Sequence, residues 1–280
     1  MCLILISWRA VPDFPLVIAA NRDEFHDRPT RVAHHWTDAP DILGGRDLLQ
    51  GGTWLAFDRR GRFAAVANYR EPELRKTGSQ SRGFLVSRFL RGAAPPEAYL
   101  AETALQRHDY DPFNLVAGDH ESLWFLDSRE AAPRELTPGI YGISNGDLDC
   151  PWPKVIKGKT AMQRSLDIPL LHSRDADGER VRAVAKSLFT MLADRSTPTD
   201  EQLPDTGVGL DWERKLAPVF VNAGEYGTRS STVIIADADG GVEFEERSYD
   251  RQGAVARIAS YELNIPLSPS GRGDGGARAP

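Results

Sequence analysis

Paired apolar runs are the feature that most constrains the fold of this chain. The chain has four pairs of short runs rich in Val, Ile, Phe and Trp, and turn-forming residues separate the two runs of each pair. The pairs are 2–8 and 16–20, 53–57 and 63–68, 114–117 and 123–126, and 232–236 and 242–246. Short apolar runs around turn residues predict β-hairpins. The chain is therefore expected to be rich in antiparallel sheet.

Helical patterns separate groups of hairpins. Apolar residues recur on one helical face in 81–91 and 179–192, and 96–106 is a third helical candidate. Helices placed between hairpin groups favour an α+β class, in which antiparallel sheets are covered by helices on their outer faces. Residues 194–210, rich in Ser, Thr, Pro, Asp and Gly, are interpreted as a surface loop.

The chain shows no internal repeat and no strong linker. We expect one domain over residues 1–265 and a disordered C-terminal tail at 266–280, because the tail has too few apolar residues to pack. The sequence leaves the oligomeric state open.

Composition narrows the function classes. Lys and Arg total 34 and Asp and Glu total 40 in 280 residues, so the net charge is −6. That balance argues against general affinity for nucleic acid or anionic membranes. No secretory signal and no run of roughly 18 apolar residues is present, so we expect a cytoplasmic protein that does not insert into a membrane. Two cysteines, Cys2 and Cys150, are too few for a disulfide framework or a cysteine-rich zinc site.

Cys2 directly follows the initiator methionine, which is normally removed in front of so small a residue. Cys2 would then carry a free α-amine, whose ordinary pKa of about 7.7–8.0 suits a base near neutral pH. The thiol, with a pKa of about 8.5, is a nucleophile as its thiolate. One residue would thus supply nucleophile and base. The alternative is a buried cysteine in the first strand.

Polar residues at the ends of other predicted strands favour the interpretation of Cys2 as a nucleophile. Asn21, Arg22 and Asp23 end the second run, at the same end of the predicted hairpin as Cys2. A carboxylate there could hold the α-ammonium, and a guanidinium could lower the pKa of the thiol. The alternative is a solvated turn with surface ion pairs.

Two amides and an arginine extend this pattern. Asn68 ends the fourth run, and Asn145 follows a later short strand, where side-chain amides can donate to a developing oxyanion. Arg229 opens the strand at 232–236, where its charge could lie beside the thiolate or a substrate carboxylate. Turn chemistry is the alternative for both amides.

These residues resemble the NRDE proteins, also called the transport-and-Golgi-organisation protein 2 family. The matching segments are Met1-Cys2, Asn21-Arg22-Asp23-Glu24, Gly51-Gly52-Thr53-Trp54-Leu55, Asn68-Tyr69-Arg70, Tyr141-Gly142-Ile143-Ser144-Asn145-Gly146 and Gly227-Thr228-Arg229-Ser230-Ser231-Thr232. The resemblance spans about the first 250 residues. It implies an N-terminal-nucleophile hydrolase-like fold, a four-layer αββα sandwich, with distant similarity to bile-salt hydrolases and penicillin V acylases.

The resemblance also implies catalytic roles. Cys2 would be the nucleophile with its own amine as base, and Asp23 would orient that amine. Asn68 and Asn145 would be the oxyanion donors, and Arg229 would be the later arginine of the site. The acylases place the early arginine three residues before the aspartate, whereas here the two are adjacent.

Three further residues are candidates for substrate binding: Asn21, Arg22 and Trp54. Adjacent residues of a regular strand point to opposite faces, so Arg22 and Asp23 are not both expected to reach Cys2.

Two functions remain open at this stage. The first is a cysteine amidohydrolase that acts on a small non-peptide amide without a cofactor or metal. The second is a non-catalytic haem-binding or haem-trafficking protein, with iron ligands drawn from Cys2, His34, His35 or Cys150. The partner would accordingly be a small-molecule substrate or haem.

Overall fold

A computed structural model describes residues 2–71, 78–168 and 176–265. Its strands are, in chain order, β1 (Cys2–Val11), β2 (Phe14–Phe25), β3 (Thr30–Trp36), β4 (Ala39–Asp47), β5 (Leu55–Asp58), β6 (Phe63–Asn68), β7 (Phe113–Gly118), β8 (Leu123–Asp127), β9 (Arg134–Glu135), β10 (Gly139–Ile143), β11 (Asn222–Ala223), β12 (Tyr226–Ala236), β13 (Gly241–Tyr249) and β14 (Val255–Asn264). The helices are α1 (Gly83–Arg91), α2 (Pro96–Leu105), α3 (Pro153–Leu166), α4 (Ala176–Leu192) and α5 (Leu210–Leu216).

The strands form two antiparallel sheets. The first sheet has the order β10-β1-β2-β12-β13-β14, with the short β11 paired to β12. The second sheet runs β3-β4-β5-β6-β7-β8-β9 in chain order. The first strand of the chain therefore lies inside a sheet, between β10 and β2.

Side-chain alternation along β1 and β2 separates two cores. Even-numbered residues such as Ile4, Ile6 and Ile18 pack between the two sheets. Odd-numbered residues such as Leu5 and Val17 pack on the opposite face against α3 and α4. Successive side chains of a strand point to opposite faces. Here the side chains on both faces are apolar because both faces are covered.

Helices α1 and α2 cover the outer face of the second sheet. Leu85, Phe89 and Leu100 of these helices share a core with Phe113 and Leu115 of β7. The layers are thus helix, sheet, sheet and helix. The predicted α+β class and the four-layer αββα sandwich are confirmed.

The four predicted hairpins are confirmed as β1–β2, β5–β6, β7–β8 and β12–β13. The predicted helices correspond to α1, α2 and α4. Strands β3, β4, β9, β11 and β14 and helices α3 and α5 were not predicted.

Edge position explains two of the missed strands. β3 and β14 each lie at the end of a sheet, so their side chains are only partly covered and their sequences mix polar with apolar residues. The region 194–210 is largely irregular but contains a short 3-10 turn at Asp200–Gln202. The predicted tail at 266–280 lies outside the described residues. No helix within the described ranges is long and apolar enough to cross a membrane.

A buried carboxylate links the two sheets. Glu246 on β13 faces the space between them, where its Oε1 accepts the backbone N–H of Ala33 on β3 at 2.7 Å. Its Oε2 lies 3.4 Å from Thr232 Oγ1. Burial raises the pKa of Glu246 from 4.5 to about 7, and the Ala33 N–H only partly opposes that rise.

The raised pKa predicts a pH-dependent stability. The folded protein binds a proton at Glu246 more tightly than the unfolded chain, so this stabilisation is present below about pH 4.5 and is lost as the pH rises through about 7. Glu246→Gln keeps an acceptor for Ala33 without a titrating group. The unfolding free energy of the wild type should fall between about pH 5 and pH 8, and that of the variant should fall by up to about 3 kcal/mol less. Urea unfolding at both pH values measures this, and equal declines in wild type and variant would contradict it.

Candidate active site

Cys2 occupies the first described position of a central strand. Its Cα lies opposite that of Arg22 in the β1–β2 register, and its carbonyl accepts the Ser144 hydroxyl at 3.0 Å. As an even-numbered residue it faces the space between the sheets, where it packs at the margin of the core. The thiol is only partly buried, because that space opens into a cleft at this end of the sandwich.

The cleft has a volume of about 360 Å³. Its walls come from the ends of β1, β2 and β6, the β4–β5 connection and residues 78–83 at the start of α1. Cys2, Arg22, Trp54, Asn68, Arg82 and Asp111 are among the lining residues. The cleft therefore combines a thiol with charged, amide and aromatic groups.

Arg22 lies beside Cys2 on the cleft face. Its side chain is only 5% exposed, and its guanidinium lies 4.3 Å from the ring centroid of Trp54, a cation–π contact. Nη1 donates to Thr30 Oγ1 at 3.3 Å, and Nη2 lies 3.9 Å from a Glu24 carboxylate oxygen. Burial lowers the pKa of Arg22. Its ordinary pKa lies so high that the guanidinium remains positive beside the thiol.

Asp23 reaches the same cysteine from the other face of the sheet. Its backbone N–H points toward the Cys2 sulfur, while its Oδ1 accepts the Thr228 hydroxyl at 2.7 Å. Burial raises the pKa of Asp23, and the charges of the chain's amino terminus and Lys154 oppose that rise. The Asp23 backbone N–H and the Asp23 charge therefore both act on Cys2.

This arrangement corrects the expectation that Arg22 and Asp23 could not both reach Cys2. Their side chains do point to opposite faces, but Cys2 sits at the very end of its strand. Arg22 lies on the thiol side, and the Asp23 backbone N–H also points toward the Cys2 sulfur. Both residues therefore act on Cys2 although their side chains point to opposite faces.

The pKa of the Cys2 thiol is raised, which favours its protonated form. Burial raises its pKa, and this outweighs the lowering by the amino-terminal charge, the Asp23 N–H and Arg22. A thiol of this kind needs a base at the moment of attack, and a base attached to the same residue would meet that need.

The two asparagine candidates occupy different positions. Asn68 ends β6 with an exposed side chain that lines the cleft. Asn145 is buried, and its Nδ2 donates to the Asn68 backbone carbonyl at 2.6 Å. The structure therefore places Asn68 in the lining of the cleft that also contains Cys2, whereas Asn145 holds the end of β6 that carries Asn68.

Arg229 lies outside the cleft lining. It is the extra residue of a β-bulge in β12, between Thr228 and Ser230. Its Nη1 donates to the carbonyls of Phe25 at 2.8 Å and Arg28 at 3.2 Å. In this position Arg229 holds the turn that follows β2.

Asn21 faces the helical layer rather than the cleft. Its Nδ2 donates to the carbonyls of Leu192 and Val219, both at 2.8 Å, and its Oδ1 accepts the Ser231 hydroxyl at 2.5 Å. These bonds tie the end of α4 and the segment before β11 to the first sheet. The candidates for substrate binding that do line the cleft are Arg22 and Trp54.

Lys154 is a site-associated residue that sequence reasoning missed. It lies in the first turn of α3, is 4% exposed, and donates from Nζ to the Leu216 carbonyl at 3.2 Å. Burial lowers its pKa, and the Asp23 charge opposes this. Helical spacing could have indicated it, because Lys154 continues the buried stripe of Gly158, Met162 and Leu166 toward the helix start.

The residues considered as haem ligands are not gathered at one place. His34 and His35 lie on β3, where each Nδ1 is 2.9 Å from a backbone carbonyl, of Val32 and Pro40 respectively. Cys150 is buried in the loop before α3. Of these, Cys2 lines the cleft. No cluster of three or more His, Cys, Asp or Glu side chains suited to a metal ion occurs in the described part of the chain.

The fold and site define a four-layer sandwich with a cysteine at the edge of a cleft. The family model described as Transport and Golgi organisation 2 matches residues 1–251. The chain belongs to this family.

The similarity to known proteins extends over most of the chain. The Transport and Golgi organization protein 2 homolog of Bos taurus is 37% identical over 272 residues, covering 89% of this chain and 93% of that protein. The Homo sapiens homolog is 35% identical over 287 residues, covering 95% and 99%.

Two solved structures are also similar. A Caenorhabditis elegans ortholog of N-acylethanolamine-hydrolyzing acid amidase has a TM-score of 0.46 at 13% identity, covering 84% of this chain and 92% of that chain. A mutant conjugated bile acid hydrolase from Clostridium perfringens has a TM-score of 0.44 at 7% identity, covering 94% and 92%.

Asn21 and Asn68 should respond differently to replacement. Asn21→Ala removes the donor for two buried carbonyls and should lower the unfolding free energy by about 2 kcal/mol or more. Asn68→Ala changes an exposed side chain and should alter it by less than about 0.5 kcal/mol. Urea unfolding of both variants measures the difference. Equal stability losses would contradict the assignment of Asn21 to the structural network.

Proposed function

We propose that this chain is an N-terminal cysteine amidohydrolase that acts on a small non-peptide amide. The observation that carries the proposal is the convergence at Cys2: the residue starts a central strand, faces a cleft, pairs with Arg22, and receives the Asp23 backbone N–H at its thiol. The proposal requires removal of Met1, so that the nitrogen of Cys2 becomes an amine.

The first half of the reaction forms an acyl-enzyme. The α-amine of Cys2 takes the Sγ proton as the sulfur attacks the carbonyl carbon of the amide. The carbonyl oxygen becomes negative, and in this proposal the side-chain amide of Asn68, a cleft-lining residue, donates a hydrogen bond to it. The C–N bond then breaks, the leaving amine takes the proton from the α-ammonium, and a thioester remains on Cys2.

Water completes the cycle. The free α-amine accepts a proton from the attacking water, and the tetrahedral intermediate collapses as the C–S bond breaks. The acid product leaves, and the proton on the α-amine returns to the sulfur. Atoms and charges balance over the two halves, with one water consumed for each amide cleaved.

The cleft supports a small substrate with polar groups. Its volume of about 360 Å³ lies at the lower end of the range for small-molecule sites. Arg82 and Asp111 line it together with Cys2 and Arg22. A ligand held there would lie between charged walls, with Trp54 as an aromatic surface.

Haem binding without catalysis is the second candidate. Among the cleft-lining residues, Cys2 has the side chain type that commonly ligates haem iron. Both candidate functions thus depend on the Cys2 thiol. Replacement of Cys2, followed by measurement of amide hydrolysis and of haem binding, distinguishes the two functions.

Amide hydrolysis by matched variants tests the proposal. Protein that begins at Cys2 should release amine from members of a panel of small N-acyl amides, and Cys2→Ala should lower turnover by about 10³-fold or more. Asn68→Ala should lower it by about 10²–10³-fold because an oxyanion donor is lost. Cys150→Ala should leave turnover unchanged, as Cys150 lies outside the cleft lining.

Undiminished turnover in Cys2→Ala would overturn the proposal. So would the absence of hydrolysis across the panel. A haem absorption shift that requires Cys2 would then favour the binding function.

A further inference from the structure

Most of the charged side chains in the cleft are engaged with one another. Among the described residues, the charged side chains of the lining are Arg22, Asp23, Glu24, Arg28, Asp47, Arg82 and Asp111. Arg28 donates to Asp47 Oδ2 from Nη2 at 2.5 Å and from Nε at 3.2 Å. A Glu24 carboxylate oxygen lies 3.9 Å from Arg22 Nη2 and 3.7 Å from Arg28 Nε. These four charges therefore form one connected group of ion pairs.

Asp23 differs from the other acids because its carboxylate is bound on the opposite face of the first sheet. There its Oδ1 accepts the Thr228 hydroxyl at 2.7 Å. With the four paired charges and Asp23 accounted for, the charges that remain in the cleft lining are Arg82 and Asp111. Within the described ranges, neither of them has an ion-pair partner within 4.0 Å.

Arg82 and Asp111 are held at the same wall of the cleft by Pro112. Arg82 Nη1 donates to the Pro112 carbonyl at 3.0 Å, and Pro112 directly follows Asp111. Asp111 is fixed in turn by its Oδ1, which accepts the backbone N–H of Gly78 at 3.2 Å. Both side chains are half-buried. One positive and one negative group thus lie side by side, too far apart to pair directly.

The charge balance of the cleft indicates what this wall can bind. On the cleft side, three arginines (Arg22, Arg28 and Arg82) face three acids (Glu24, Asp47 and Asp111), so the described lining has no net charge. Such a cleft has no overall preference for an anion or a cation. Two opposite charges on one wall, each without a partner, are complementary to a ligand group that carries both charges itself.

We propose that Arg82 and Asp111 bind an amino-acid group of the substrate, with the carboxylate on Arg82 and the ammonium on Asp111. A guanidinium suits a carboxylate because its planar donors can form two parallel hydrogen bonds. The inference rests on the proposed function and names a substrate class for the same cleft: small amides with a carboxylate and an ammonium on one carbon. Arg82 and Asp111 are binding residues in this account and take no part in bond cleavage.

The size of the cleft is consistent with this class. Its volume of about 360 Å³ lies near the lower limit for small-molecule sites, and Cys2 belongs to the same lining as Arg82 and Asp111. One small molecule can therefore contact the charged wall with its amino-acid group and present its amide to the thiol.

The test measures binding to the full-length Cys2→Ala protein, which cannot form a thioester, by isothermal titration calorimetry. The probes are four amides that differ in the two charged groups. L-Glutamine carries both, glutaramic acid carries only the carboxylate, 4-aminobutanamide carries only the ammonium, and butanamide carries neither. The corresponding series derived from L-asparagine is shorter by one methylene. In at least one series the amino-acid amide should bind about tenfold or more tightly than each analogue.

Two variants assign the charges to the residues. In the same background, Arg82→Gln should weaken binding of the amino-acid amide by about tenfold or more and leave the ammonium-only analogue unaffected. Asp111→Asn should weaken binding of the amino-acid amide and leave the carboxylate-only analogue unaffected. Each variant thus provides an independent measurement if the other does not fold, as judged by its melting transition.

Two controls accompany these variants. Arg91→Gln is the matched control at the far end of α1, since Arg91 pairs with Asp38 at the surface outside the cleft lining, and it should leave every affinity unchanged. Arg82→Lys keeps the positive charge and should retain most of the preference for the carboxylate.

Analogues that bind as tightly as the amino-acid amide in both series would overturn the inference. So would the absence of binding by all probes, or an unchanged preference in the folded variants. The assay does not use amide turnover. Selective binding without hydrolysis would support this inference and count against the proposed function, whereas hydrolysis of other amides without selective binding would count against this inference alone.

Discussion

The pairing of β1 with β2 is the constraint on which the site depends. It sets Cys2 opposite Arg22, and strand alternation then sends Arg22 to the cleft and Asp23 to the helical layer. A shift of one residue in this register would exchange the two faces and carry the thiol into the core under α3. The apolar residues that follow Cys2 on both faces of β1 oppose such a shift, because both faces are buried.

The αββα layering gives these two faces different environments. The space between the sheets opens at the Cys2 end into a cleft that a small molecule can enter. On the helical face Asp23 and Lys154 are each about 4% exposed. In the proposed chemistry the thiol and the oxyanion donor lie in the cleft.

Local sequence signals predicted much of the fold and part of the site. The hairpins and three helices follow from short apolar runs and helical spacing, and Cys2, Arg22, Asp23 and Asn68 follow from polar residues at strand ends. The placements of Asn145 and Arg229 depend on a contact 77 residues distant along the chain and on a bulge in β12. Neither has a local sequence pattern. Lys154 was missed because charged residues are usually interpreted as solvent-exposed, and only the packing of α3 on β1 buries it.

The central claim is that Cys2 is a processed, accessible nucleophile. Its most direct test is limited alkylation of the folded protein, purified from cells, with iodoacetamide, followed by peptide mass mapping. The account predicts an amino-terminal peptide that lacks Met1 and carries the label on Cys2, while buried Cys150 remains unlabelled until the protein is unfolded. A retained Met1, or labelling of Cys150 ahead of Cys2 in the folded protein, would contradict it.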